Sequence, residues 1–151
     1  MPTIHLLVDP PYQEKVAAER LVAAAQAALQ DQGAADDTTL SIRITDDAVL
    51  QRLNARYRGI HAVTDVLSFA DGSPDPETGS LYLGDVVIAY PRAAAQAARG
   101  GHPVAWELCL LVVHGVLHLL GHDHAEPGEK ARMWAAQERI LASLGCPLSP
   151  A

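Results

Sequence analysis

The run from His114 to His124, His-Gly-Val-Leu-His-Leu-Leu-Gly-His-Asp-His, constrains this chain more than any other stretch. His114 and His118 stand at i and i+4, which on a helix puts both rings on one face, a turn apart. Gly121 offers the left-handed residue that ends a helix and turns the chain. His124 follows just past that turn, where it can swing back toward the other two. Three imidazoles converging on one point describe a catalytic zinc site, with three protein ligands and a fourth position left to water or substrate. The plainer alternative, core histidines bonded to backbone, accounts for a lone histidine better than for three at this spacing.

The flanks sharpen the reading. From Trp106 to Leu120 the chain is apolar on nearly every side apart from the histidines and Glu107, so a buried helix is expected. Polar rings in such a helix need partners, because unpaired polar groups are costly to bury. The spacing equals that of the metzincin proteases, H-E-x-x-H-x-x-G-x-x-H. The glutamate that serves those enzymes as general base is Gly115 here. A glycine cannot take a proton, which argues against peptide hydrolysis by that route.

At 151 residues the chain is expected to form a single domain, 1–151, large enough to bury a real core. No apolar run reaches membrane-spanning length, since Leu108 to Val113 is bounded by Glu107 and His114. The start, Met-Pro-Thr-Ile-His, lacks the basic and apolar segments of a secretory signal. The two cysteines, Cys109 and Cys146, form no C-x-x-C and read as reduced packing residues of a cytoplasmic protein. A formal charge of -7 argues against tight, nonspecific binding to long nucleic acid but leaves room for a local basic patch.

Taken in order, Ile4 to Val8 reads as a first strand, and Gln13 to Gln30 as a helix opened by Pro11 and ended by Gly33. Thr38 to Ile44 alternates as a second strand. Thr45 or Asp46 then caps a helix to about Arg56. Tyr57 to Thr64 is expected to be a loop carrying Arg58 and His61, and Val66 to Phe69 a short third strand. The turn-rich Asp71 to Gly79 fits a hairpin loop, and Leu81 to Ala89 a fourth strand with Gly84 as a bulge or close-approach point. Pro91 to Arg99, the histidine helix from about Pro103, and Glu126 to Leu144 complete the helices.

Three blocks together resemble the YbeY family of bacterial rRNA maturation factors and single-strand endoribonucleases. They are Asn54, Tyr57 and Arg58 followed by Thr64 to Phe69; Leu83 to Ile88; and Glu107 through the histidine signature. The resemblance implies an α+β fold, a small mixed four-stranded sheet packed with about five helices, including a metzincin-like zinc helix. It implies one zinc ion (Zn2+) on His114, His118 and His124, with Arg58 as the functional arginine of the cleft. It also implies a role in 16S rRNA 3′-end processing and ribosome quality control. The partners it implies are rRNA and ribosomal subunits, with a ribosomal protein or GTPase as candidate protein partner, and neither DNA nor membrane. Two positions depart from the family pattern: His122 stands where tyrosine is usual, and Ala70 where proline is usual. His122 is therefore a rival third ligand to His124, which keeps the metzincin spacing.

On this reading zinc lowers the pKa of its water and polarises a phosphoryl oxygen, while Arg58 steadies the phosphate. Asp85 has two open roles: a base or histidine-orienting group, or a cap on a strand bulge. Asp123 either supports His124 or satisfies the turn. Asp65 and Ser68 shape their own segment. His5, His61 and His102 read as surface histidines, and Trp106, Met133 and Trp134 as packing residues. Two alternatives stay open: a metal hydrolase of another substrate, and a ribosome-assembly binding factor with a largely structural zinc. Three imidazoles also suit nickel or copper.

Overall fold

Strand alternation decides the architecture. In β2 (Thr39–Thr45) Leu40, Ile42 and Ile44 are buried while Ser41 and Arg43 between them are not, so one face of the strand carries the main core. A computed structural model describes residues 1–58 (Arg58 by its backbone), 65–74, 76–77, 79–122, 126–146 and 148. In it four strands line up as β1-β2-β4-β3, where β1 is Thr3–Val8, β3 is Val66–Pro74 and β4 is Leu81–Ala89. The β1–β2 and β2–β4 pairs are parallel, and β3 runs antiparallel to β4 at the edge. Parallel pairing needs a crossover, which α1 (Ala18–Asp31) supplies between β1 and β2.

One sheet face is covered by α1 and by α4 (Val104–Leu119), on which α5 (Pro127–Ser143) packs in turn. Leu21, Ala25 and Leu29 of α1 meet Val112, Val116 and Leu117 of α4 and Met133 and Ile140 of α5, over Ile42, Val86 and Ile88. Each large side chain fully removed from water there contributes about 1.5–3 kcal/mol. The alanine-rich stripe of α1 (Ala24, Ala25 and Ala28, all fully buried) lets α4 lie close. On the other sheet face α2 (Asp47–Arg58) covers a smaller cluster of Leu50, Leu67, Val87 and Ala89. Between the layers α3 (Tyr90–Gly100) leaves β4 directly. The α+β expectation of a small mixed four-stranded sheet packed with about five helices holds among the described residues. Among the described residues no single helix is long and apolar enough to cross a membrane.

Several element ends differ by a residue from the sequence expectation, and three differ by more. The first helix begins at Ala18 and not at Gln13, because Pro10–Tyr12 forms a separate 3-10 turn closed by the Tyr12 N–H donating to the Asp9 carbonyl (2.9 Å). Residues Asp71 to Pro74 belong to β3 and not to a hairpin loop; the pairing with β4 slips between Ala70 and Ser73, where Gly72 takes φ +72°. Pro74 is tolerated because β3 is an edge strand, where a missing N–H leaves no ladder partner unpaired. The second helix runs through Arg58 and not to Arg56; Asp46 caps it, its Oδ1 accepting the Val49 N–H (2.9 Å).

Gly84 is both of the things its sequence position offered. The β2–β4 register slips at this point, and the residue sits at φ +145°. A Cβ there would lie 2.2 Å from the Phe69 carbonyl oxygen and 2.9 Å from Leu119 Cδ2. The two cysteines are buried in the main core, reduced, with the Cys146 Sγ accepting from Arg20 at 3.2 Å.

Candidate active site

The histidine helix is buried on almost every side, and His114 and His118 are among its half-exposed positions. Their rings meet edge to face, centroids 4.7 Å apart and planes at 69°, as i and i+4 side chains on one helical face should. The opposite side is pressed against the sheet. At Gly115 a Cβ would lie 2.6 Å from Val86 Cγ1 and 3.2 Å from Ser68 Oγ. The Ser68 hydroxyl donates to the Gly115 carbonyl (3.2 Å). The glycine is thus set by helix–sheet contact, and no carboxylate could stand there without displacing β4.

The helix ends as Gly121 predicts. Gly121 takes φ +96°, its N–H donates to the His118 carbonyl (3.0 Å), and the His122 N–H reaches back to Leu117 (3.0 Å). This paired closure satisfies the last carbonyls and turns the chain sharply. His124, Asp123 and His61 lie outside the described residues, as does the Arg58 side chain at the end of α2. Among the described residues no group of three or more His, Cys, Asp or Glu is placed to hold an ion; the structure brings together two of the three expected ligands. His122 is engaged elsewhere: its Nε2 lies 2.7 Å from Gln32 Oε1 at the end of α1. That nitrogen is committed to α1 and not to His114.

Beside His114 opens a cavity of about 630 Å³, with Gln96, Arg99, His102, Trp134 and Gln137 in its wall. His114 Nδ1 lies 3.0 Å from Oε1 of Gln137, which is 1 % exposed. Trp134 packs edge-on to the same ring at 6.1 Å, and the Lys130 ammonium sits 5.6 Å from the indole centroid. Trp134 packs, as the sequence suggested, and what it packs against is the His114 ring. His102 departs from the sequence expectation. His102 is not a surface histidine: its side chain is 15 % exposed and its Nε2 is 2.7 Å from Oε1 of Glu107, which is 7 % exposed. The cause is Glu107 itself, a carboxyl in an apolar helix that needs a partner.

Asp85 lies on the far side of the sheet from these groups. Val86 faces α4, so its neighbour Asp85 faces away, across from Ser41 and Phe69 in the ladder. There it accepts from the Tyr82 hydroxyl, whose oxygen in turn accepts from the Ser41 hydroxyl (2.8 Å). Burial first, then the Asp85 carboxylate, raises the Tyr82 pKa. The base role for Asp85 at His114 is thereby ruled out by strand alternation. His5, Asp85 and Phe69 instead line a separate groove of about 840 Å³. Asp65 and Ser68 shape their segment as expected: the Ala89 N–H donates to the Asp65 carbonyl (2.9 Å), and Gln96 Nε2 donates to its carboxylate (3.1 Å).

Gln137 and the His102–Glu107 pair were missed as site residues. The available signal was placement. Met133, Ala136, Gln137, Ile140 and Leu141 form the buried stripe of α5, and one glutamine among apolar neighbours asks for a bonding partner.

Comparison with known proteins gives a consistent result. A family model described as Endoribonuclease YbeY matches residues 10–145. A protein of Roseiflexus sp. (strain RS-1) named Endoribonuclease YbeY is 46% identical over 149 residues, covering 95% of this chain and 93% of the relative. One of the same name from Chloroflexus aurantiacus is 48% identical over 130 residues, covering 82% and 84%. The solution structure of a Thermotoga maritima protein superimposes with a TM-score of 0.65 at 22% identity, covering 93% of this chain and 88% of that one. At that identity the likeness bears on the fold alone.

Proposed function

The chain belongs to the endoribonuclease YbeY family, and from that premise we propose that it is a metal-dependent hydrolase cutting single-stranded RNA during rRNA maturation. The same reading assigns one zinc ion to His114, His118 and His124, and contact with the substrate phosphate to Arg58. It includes 16S rRNA 3′-end processing, ribosome quality control, association with ribosomal subunits, and a cytoplasmic location.

The observation that carries the proposal is the pair of rings on one helical face with His114 Nδ1 held by buried Gln137. Imidazole nitrogens of this kind suit zinc, and a ring held through one nitrogen presents the other. When bound, zinc supplies Lewis acidity and a nucleophile at neutral pH. The chain's own residues do the rest. Arg99 lines the His114 cavity together with the carboxyls of Asp65 and Glu107, and Lys130 sits over Trp134. Arg58 would offer its fork of donors to charge growing on the phosphate. Gly115, pressed on Val86, removes the base that peptide hydrolysis uses in helices of this spacing.

The test is cleavage of a single-stranded rRNA fragment by zinc-loaded protein, its His114→Ala and Arg58→Ala variants, and chelated wild type. Loss of cutting in His114→Ala and on chelation is expected, with a drop in kcat of about 10²–10³ for Arg58→Ala. Equal cutting by a folded His114→Ala protein would assign the activity to a contaminant and end the proposal.

A further inference from the structure

We propose that Gln137 is the positioning residue of the site: it fixes the tautomer and tilt of His114 so that Nε2 is the nitrogen offered to a divalent ion. The inference rests on the metal reading above and deepens it.

A neutral imidazole carries one N–H, on Nδ1 or Nε2, and its other nitrogen bears the lone pair that binds metal. His114 Nδ1 lies 3.0 Å from Gln137 Oε1. A carbonyl oxygen only accepts, so the proton belongs on Nδ1 and the lone pair on Nε2. Gln137 is itself immobilised. It is 1 % exposed and stands on the buried stripe of α5 between Met133 and Ile140. Trp134, on the preceding turn of α5, packs edge-on against the same ring at 6.1 Å. Two side chains of α5 therefore grip one ring of α4, one by a hydrogen bond and one by contact. An uncharged amide on an apolar stripe is costly to bury without a partner, and His114 is the partner the structure gives it. The outer groups that orient a metal-ligating histidine commonly set its affinity for the ion by about 10- to 100-fold.

A mere latch between α4 and α5 would show as stability alone, so the experiment reads the ring itself. The full-length protein, Gln137→Met (similar reach, no carbonyl) and Gln137→Glu (acceptor kept) are compared at about pH 8.5, where histidine is neutral. Long-range proton–nitrogen NMR on metal-free protein reports the His114 tautomer. Competition with a chromophoric chelator gives the zinc affinity, and thermal unfolding checks the fold. The Nδ1–H form is expected in wild type and in Gln137→Glu, whose affinity equals or exceeds wild type. Gln137→Met is expected to lose that tautomer and about 10- to 100-fold in zinc affinity while staying folded.

An Nε2–H tautomer in metal-free wild type overturns the proposal without recourse to any variant. So does a folded Gln137→Met protein with wild-type tautomer and affinity, or an equal loss in both variants. Wild type that binds no zinc yet shows the Nδ1–H form defeats the metal reading while leaving Gln137 as the group that sets the ring.

Discussion

Gly115 and Val86 touch so closely that the smallest side chain added to the glycine would sit 2.6 Å from a valine methyl. Val86 is fully buried and branched at Cβ, so it cannot swing aside. An alanine at 115 gains about 1 kcal/mol in helix propensity but overpacks a rigid contact, which typically costs about 1–3 kcal/mol. Gly115→Ala is expected to lower stability on balance, and Val86→Ala to be partly restored by it. Chemical denaturation of the two single variants and the double variant measures the coupling; simple additivity would show that the contact is not the cause.

His102 and Glu107 form a pair whose halves are unequal in what their loss does. Removing the imidazole (His102→Ala) leaves a buried carboxyl without its 2.7 Å partner, an expected cost of about 1–3 kcal/mol. Replacing both with apolar residues of similar size removes the unpaired group and should recover most of that loss. Urea denaturation of the single variant His102→Ala and the double variant His102→Leu with Glu107→Leu decides the matter.

Asp31 and Arg139 tie the end of α1 to α5 through two 2.8 Å hydrogen bonds. These bonds lead in holding the Asp31 carboxyl below its ordinary pKa, burial pulling the other way and Gln32 assisting. A group whose pKa falls on folding stabilises the fold above its unfolded value, about 3.9, and loses that contribution as pH drops through the folded value. Arg139 is 59 % exposed, so the pair is worth only about 0.2–1 kcal/mol at neutral pH. Arg139→Ala should therefore be less stable than wild type at pH 7, by about that margin, and the gap should close as pH falls below the unfolded value and through the folded one. Denaturation midpoints across the range provide the check.

Cys109 should be inert in the native protein. Burial first, then neighbouring Cys146, pushes its thiol up to about 12, and only the thiolate reacts. An aromatic disulfide reagent at pH 8 should label it only after denaturant is added. Prompt native-state labelling would contradict the packing.

Much of the fold was legible because period 2 and period 3.6 rarely coexist in one stretch. Leu40, Ile42 and Ile44 marked the second strand, and the apolar run around Val112 and Val116 marked the buried helix. The misread segment was Asp71 to Pro74, where turn residues serve as a bulged edge strand; pairing with β4, a tertiary fact, overrode local preference. At the site, His114 and His118 followed from spacing. Gln137 did not, since it comes from another helix 23 residues on, and no local period links the two. Asp85 was ambiguous until the register showed which way Val86 faces. Once it did, the aspartate's side of the sheet was fixed.

The helix bearing His114 is also the element that α1, α3, α5, β3 and β4 all grip. Such a rod has no private way to loosen: its amides exchange with solvent only when the whole molecule opens. An enzyme built so does not fade gradually as it warms. The pairing of His114 and His118 is expected to last as long as the fold does and to go with it in a single event.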